Sequence, residues 1–156
     1  MKIGIIIYSQ SGNTLSVAEK LREKLAEEGQ SAKIERVTVA GGRKAGERKF
    51  KLQVQPEVGQ YDALVFGSAV EAFSLSPVLK RYLAGVGSLQ GKQVACLVTQ
   101  AFPYPWMGGN RAIRQMRRIC ESKAATVCGS AVVNWAGSRR GKTTAQAIED
   151  LTRALL

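Results

Sequence analysis

The sequence predicts an α/β domain: a parallel sheet with helices on both of its faces. Three observations predict it. Short apolar runs rich in β-branched residues, such as Ile3-Gly4-Ile5-Ile6-Ile7 and Ala63-Leu64-Val65-Phe66, lack a polar alternation and so read as strands buried on both faces. Between them lie stretches whose apolar residues recur at helical spacing. The two kinds alternate along 156 residues, the length of one domain with a sizeable core.

Taken in order, residues 2–8 form the first strand. Leu15, Val17, Ala18, Leu21 and Leu25 then mark the buried face of a helix that Gly29 closes as a C-cap. Residues 31–39 read as the second strand, with Ala32, Ile34, Val37 and Val39 alternating roughly. A crossover helix is usual next, but residues 40–60 carry Gly41, Gly42 and a weak apolar pattern. They read as a basic loop with a short extra strand at 51–54. The third strand spans 61–67, and residues 68–74 follow it as a loop. Ser76 caps the next helix with Pro77 at its first position, and Gly85 and Gly87 close it. Residues 92–99 form the fourth strand, 111–123 a helix, 125–134 the fifth strand and 143–156 the last helix. No internal repeat, linker or low-complexity segment interrupts this order.

The loop Ser9, Gln10, Ser11, Gly12, Asn13, Thr14 joins the first strand to the first helix. A helix start has unpaired N–H groups and the positive end of the macrodipole, which together suit an anion. Three hydroxyls, two side-chain amides and a glycine that lets the backbone close in complete a phosphate cradle. No lysine sits in the loop, so it is not the triphosphate loop; a single glycine rules out the three-glycine dinucleotide fingerprint. Neutral donors suit one terminal phosphate. The plainer reading is a capped helix start, with Ser11 or Asn13 as N-cap.

Two further loops stand out. One is Ser68, Ala69, Val70, Glu71, Ala72 and Phe73, after the third strand. The other runs from Thr99, Gln100, Ala101 and Phe102 through Tyr104 and Trp106, after the fourth. Three of the ten aromatic residues and two of the four prolines (Pro103, Pro105) fall within residues 100–110. All three loops follow carboxyl ends of strands, where open parallel sheets bind ligands. Phe73, Phe102, Tyr104 and Trp106 are stacking candidates for a flat ring. For Phe73 the alternative is core packing, and for Trp106 it is packing beneath helix 111–123. Trp135 reads as core or rim. Glu71, the carboxylate of these loops, reads as a solvated loop residue rather than a catalytic acid.

Twenty-three Lys and Arg against twelve Asp and Glu give a net charge of +11. No recognised nucleic-acid module accompanies the basic residues, among them Arg43, Arg48, Arg111 and Arg139. Their spread reads as a solvated surface with non-specific anion affinity. The chain has no histidine, which excludes histidine-dependent catalysis. Cys96, Cys120 and Cys128 fit no metal spacing and read as reduced thiols. Neither a signal-type start nor an apolar run of membrane-spanning length is present, so a cytoplasmic location without membrane insertion is expected.

Ser9 to Thr14 resembles the FMN-phosphate loop of flavodoxins, a Thr/Ser-x-Thr/Ser-Gly-Asn-Thr pattern after the first strand. Phe66-Gly67-Ser68 and Thr99-Gln100-Ala101 follow in the family's order, so the resemblance spans the whole chain. It is strongest to short bacterial flavodoxin-like proteins and the related quinone-reductase-type flavoproteins. It implies one domain over residues 1–156: a three-layer sandwich whose five-stranded parallel sheet has the order 2-1-3-4-5. It also implies FMN, with its phosphate on Ser9 to Thr14 and its ring bordered by Ser68 to Phe73 and Thr99 to Trp106. The implied function is a redox protein that carries electrons between partners or reduces a small acceptor such as a quinone. Carrier and NAD(P)H-dependent enzyme both stay open, and so does a homodimer. The alternative is a flavin-free module that engages an acidic partner. Two departures matter: flavodoxins are typically acidic, and no Trp/Tyr pair that would sandwich the ring is evident here.

Overall fold

The computed structural model describes residues 1–44, 46–102 and 104–156. In chain order the elements are β1 (Lys2–Tyr8), α1 (Asn13–Glu27), β2 (Ser31–Arg36), β3 (Thr38–Val39), β4 (Leu52–Val54) and β5 (Ala63–Glu71). Then come β6 (Ser74–Leu75), α2 (Pro77–Gly85), β7 (Gln93–Gln100), α3 (Gly109–Ser122), β8 (Thr126–Asn134) and α4 (Arg140–Leu155). The main sheet runs β2-β1-β5-β7-β8, with every one of these pairs parallel. This is the expected order of five parallel strands. The chain winds outward from β1 to β2, then reverses through β5, so the carboxyl ends of β1 and β5 diverge onto a crevice.

Period-two alternation divides the strand side chains between two cores. Ile3, Ile5 and Ile7 pack with Val17, Leu21 and Leu25 of α1 and Ala147, Leu151 and Leu155 of α4. Ile6, Leu64 and Phe66 face the other way, onto Leu79 and Leu83 of α2 and Ala112 and Met116 of α3. Both sheet faces are thus covered, which is why these strands tolerate no polar alternation.

Helix ends follow local chemistry. Ser76 Oγ accepts from the Val78 N–H with Pro77 at the first helical position. Gly29 (φ 78°) ends α1 in a Schellman arrangement: its N–H donates to Ala26 O and the Gln30 N–H to Leu25 O. The start of α1 departs from expectation. Its N-cap is Gly12 rather than Ser11 or Asn13, because the turn there needs a positive φ (90°).

Three further differences concern strands. The expected second strand is divided: β2 ends at Arg36, and β3 turns away to pair antiparallel with β4. That pairing supplies the short strand expected at 51–54. The expected loop 68–74 is instead the end of β5, a tight turn, and β6 pairing back antiparallel. Among the described residues, 40–60 carry no helix. Cys96 and Cys120 are buried, and Cys128 is half-buried; burial pushes the Cys120 thiol up to about 12, so it stays protonated. No described helix is long and apolar enough to cross a membrane.

Gly4 holds the amino end of the sheet close to its cover. A Cβ there would lie 2.6 Å from Tyr61 Cδ2, and the buried Tyr61 ring is anchored by its hydroxyl, which donates to Glu35. Gly4→Ala is therefore expected to destabilise the fold by about 1–3 kcal/mol through overpacking. Urea unfolding should show a lower midpoint at an unchanged slope.

Candidate functional site

The crevice is built from the ends of β1, β5 and β7, which the register aligns: Tyr8 pairs with Ser68 and Ala69 with Thr99. From Tyr8 the chain turns through residues 9–12 into α1. Ser9 Oγ accepts from the Leu15 N–H at 3.1 Å, and Ser9 O accepts from Arg36 Nη2 at 2.7 Å. The Gln10 amide donates to Arg43 O. Among the described residues, no protein acceptor pairs with the backbone N–H groups of residues 11–14. These are the open donors of a helix start, with the positive end of its dipole behind them.

Two of these residues, Ser11 and Thr14, border a cavity of about 330 Å³ that Tyr8, Gln10, Ala69, Val70 and Glu71 also line. Beneath it, the buried Thr14 and Thr99 hydroxyls bond at 3.0 Å, tying α1 to the end of β7. The Ser68 hydroxyl is wholly buried and donates to Ala69 O. Thr14 and Thr99 therefore hold the first turn of α1 to the end of β7 through their side chains, and Ser68 faces inward.

Ala72 and Phe73 form the two-residue turn between β5 and β6, both left-handed at φ 50° and 59°. A turn of this kind normally takes Asn or Gly, and an Ala–Phe turn stores strain of about 1–3 kcal/mol per residue. The aromatic loop presses on it from one side. A Cβ on Gly108 would stand 2.8 Å from Phe73 Cα. The outcome is a half-exposed Phe73 ring stacked on Phe102, centroids 5.0 Å apart. Tyr104 and Trp106 stack in turn at 5.9 Å. Core packing is thereby excluded for Phe73, and Trp106, 72% exposed, does not lie beneath α3. Trp135 packs at the edge of the α1–α4 core with Arg140 over its ring.

Gln100 ties the aromatic loop down. From its buried position, Nε2 faces Phe102 O (3.0 Å), Tyr104 O (2.6 Å) and Asn134 Oδ1 (2.9 Å). A Cβ on Gly109 would collide with its Oε1. Pro103, one of the two prolines of this loop, lies outside the described residues.

Glu71 is not a solvated loop residue, nor is Arg43 part of the solvated surface. Arg43 Nη2 donates to Glu71 Oε1 at 2.8 Å and Nη1 to Oε2 at 3.1 Å, with the side chains 0% and 8% exposed. The Gly46 N–H adds a bond to Oε1 at 2.9 Å. Burial pushes the Glu71 carboxyl up, yet Arg43, Ser76 and Gly46 outweigh it and hold the group below its ordinary value. Arg43 is raised: its bonds to Glu71 and Tyr8 overcome the opposing effect of burial.

Solved structures with the same arrangement decide the fold. A flavodoxin from Streptococcus pneumoniae TIGR4 aligns over 98% of this chain and 99% of its own, with a TM-score of 0.66 at 17% identity. A flavodoxin variant from Pseudomonas aeruginosa aligns over 99% of both chains, with a TM-score of 0.69 at 11% identity. The chain has the flavodoxin-like fold. A flavoprotein from Lactobacillus acidophilus NCFM, solved in complex with FMN, aligns over 84% of this chain and 92% of its own, with a TM-score of 0.61 at 18% identity. No protein-family model and no curated protein matches the sequence.

In this flavodoxin-like frame the candidate residues fall into groups. Gln10, Ser11, Thr14, Ala69, Val70 and Glu71 meet at the cavity. Gly12 and Asn13 shape its helix end, while Ser9, Ser68, Thr99 and Gln100 are buried supports. Phe73, Phe102, Tyr104 and Trp106 form two exposed aromatic stacks beside an exposed Ala101. Ala72 faces away, into a second concavity. Sequence reading missed Tyr8, Arg36, Arg43 and Asn134. Tyr8 could have been found, as the polar-tipped ring at the end of a strand that enters the loop.

Glu71→Gln leaves the Arg43 charge buried without its counter-charge and should cost about 3 kcal/mol at neutral pH. The folded Glu71 pKa is depressed, so the pair's contribution is fully present above the ordinary carboxyl value of about 4.3 and fades as pH falls through the folded value. Urea titrations should therefore show the gap between wild type and variant closing in acid. A gap that persists unchanged at about pH 2–3 would assign the loss to packing.

Proposed function

We propose that the protein binds FMN in the crevice between α1 and the β5–β6 hairpin and works as a flavin-dependent redox protein. The observation that carries this reading is the set of open N–H donors at the start of α1, where Ser11 and Thr14 line a cavity against Ala69 and Val70 of β5. Residues 11–14 would receive the phosphate, whose charge the helix dipole favours. The cavity suits an anion: its one carboxylate, Glu71, is already neutralised by Arg43.

Ala69 and Val70 would border the ring, with Phe73, Phe102, Tyr104 and Trp106 supplying apolar faces. The bound flavin supplies the electron chemistry, so no acid–base side chain is required. This chain's part is to hold the group, shield it and set its surroundings. A net charge of +11 favours the negative charge that reduction adds, within the reach that salt allows. Cytoplasmic electron carriage between proteins, or reduction of a small acceptor such as a quinone, is the function this supports. NAD(P)H oxidation with a quinone separates the two: turnover above that of free FMN makes it an enzyme.

The reading is tested by titrating apo-protein with FMN and following flavin fluorescence. Saturable quenching is expected. Ser11→Asp, at an exposed position, adds a negative charge at the phosphate site and should weaken binding at least about tenfold while leaving stability unchanged. No saturation by the wild type would overturn the reading and leave a flavin-free binding module.

A further inference from the structure

Behind the β5–β6 hairpin lies a second concavity of about 590 Å³, and Glu71 belongs to the wall of both. Three separate segments bring cations to it: Arg48 from the stretch between β3 and β4, Lys80 and Arg81 from α2, and Arg111 from α3. Among the described residues, none of the four has a carboxylate within 4.0 Å. Glu71, the carboxylate of this wall, is already held by Arg43. Arg81 is oriented in advance: Nη1 donates to Phe50 O at 2.8 Å and the guanidinium lies 4.0 Å from the Phe50 ring centroid. Leu75 and Ala84 add apolar surface.

Four like charges converging on one recess repel one another, and among the described residues no carboxylate within 4.0 Å offsets them. What sets these four apart is their convergence from three segments on one recess. A cluster left uncompensated is an electrostatic complement waiting for an anion. Its shape decides the kind. A recess of small-ligand volume, rather than a ridge or stripe of cations, fits a compact molecule. Guanidinium forks suit the paired oxygens of phosphate and carboxylate groups.

We propose that this concavity is a binding site for a small polyanion, a metabolite with two or more phosphate or carboxylate groups. The site is separate from the crevice at α1 and stands whether or not that crevice takes a flavin.

Inorganic pyrophosphate is the probe, titrated into the full chain at about 0.15 M salt, with binding read from the amide resonances of α2 and α3. Saturable shifts with Kd below about 1 mM are expected. Lys80→Gln combined with Arg111→Gln should weaken binding at least tenfold. Arg114→Gln combined with Arg118→Gln removes the same charge from other exposed positions of α3 and should change it less than twofold. Ser11→Asp should also change it less than twofold. The proposal is overturned by an absence of saturation, or by equal losses in the two double variants, which would mark diffuse attraction. Loss in Ser11→Asp would assign the anion to the α1 crevice, and tighter binding of a glutamate-rich peptide would make the recess a protein-docking surface; either outcome also overturns it.

Discussion

The ion pair between Arg43 and Glu71 is the contact on which both recesses depend. It fastens the basic segment between β3 and β4 to the end of β5, and through Gly46 it fixes the backbone of that segment as well. It also removes the charge of the carboxylate that borders both recesses. Without Arg43, Glu71 would repel an anion from either side. A buried pair of this kind does not have to add stability compared with an apolar contact. What it does here is set the sign of the local potential while joining parts of the chain far apart in sequence.

The second constraint is steric and concerns the aromatic stacks. Gly108 and Gly109 let the loop after β7 settle against Phe73, Val70, Val132 and Gln100, where a side chain would collide. Gln100 holds that loop from below through its amide. The Ala72–Phe73 turn is strained in isolation, and this packing is what over-determines it. Strain, close backbone approach and a buried amide thus converge on one result: two exposed aromatic stacks, one between the hairpin and the loop after β7 and one within that loop. Those rings remain exposed because each is used up against a neighbour ring, Phe73 with Phe102 and Tyr104 with Trp106, and not against the core.

The frame was legible in the sequence because its signals are local. Ile3 to Ile7 announce a strand buried on both faces, and Ser76-Pro77 and Gly29 announce helix ends whose chemistry lies within a few residues. The loop at 9–14 could be read for the same reason: its hydroxyls, its glycine and the helix behind it are contiguous. The carboxyl ends of three strands also flagged three loops of unusual composition, and those loops do meet. The fate of Glu71 and Arg43 was not legible, since a partner 28 positions away leaves no periodic trace and each residue alone looks solvated. The hairpin at Ala72–Phe73 escaped because its turn residues contradict the usual preference. That the Ser68 and Thr99 hydroxyls are buried was not legible either, since the direction a side chain takes at a strand end depends on register, which only the paired sheet determines.

The central claim is that the open N–H groups of residues 11–14 hold a dianionic phosphate. Phosphorus NMR of FMN mixed with the protein tests it most directly. The account predicts a bound resonance displaced from that of free FMN, with no titration between about pH 5 and 8 because the cradle keeps the phosphate dianionic. A phosphate signal that still titrates near pH 6, like the free cofactor's, would contradict it.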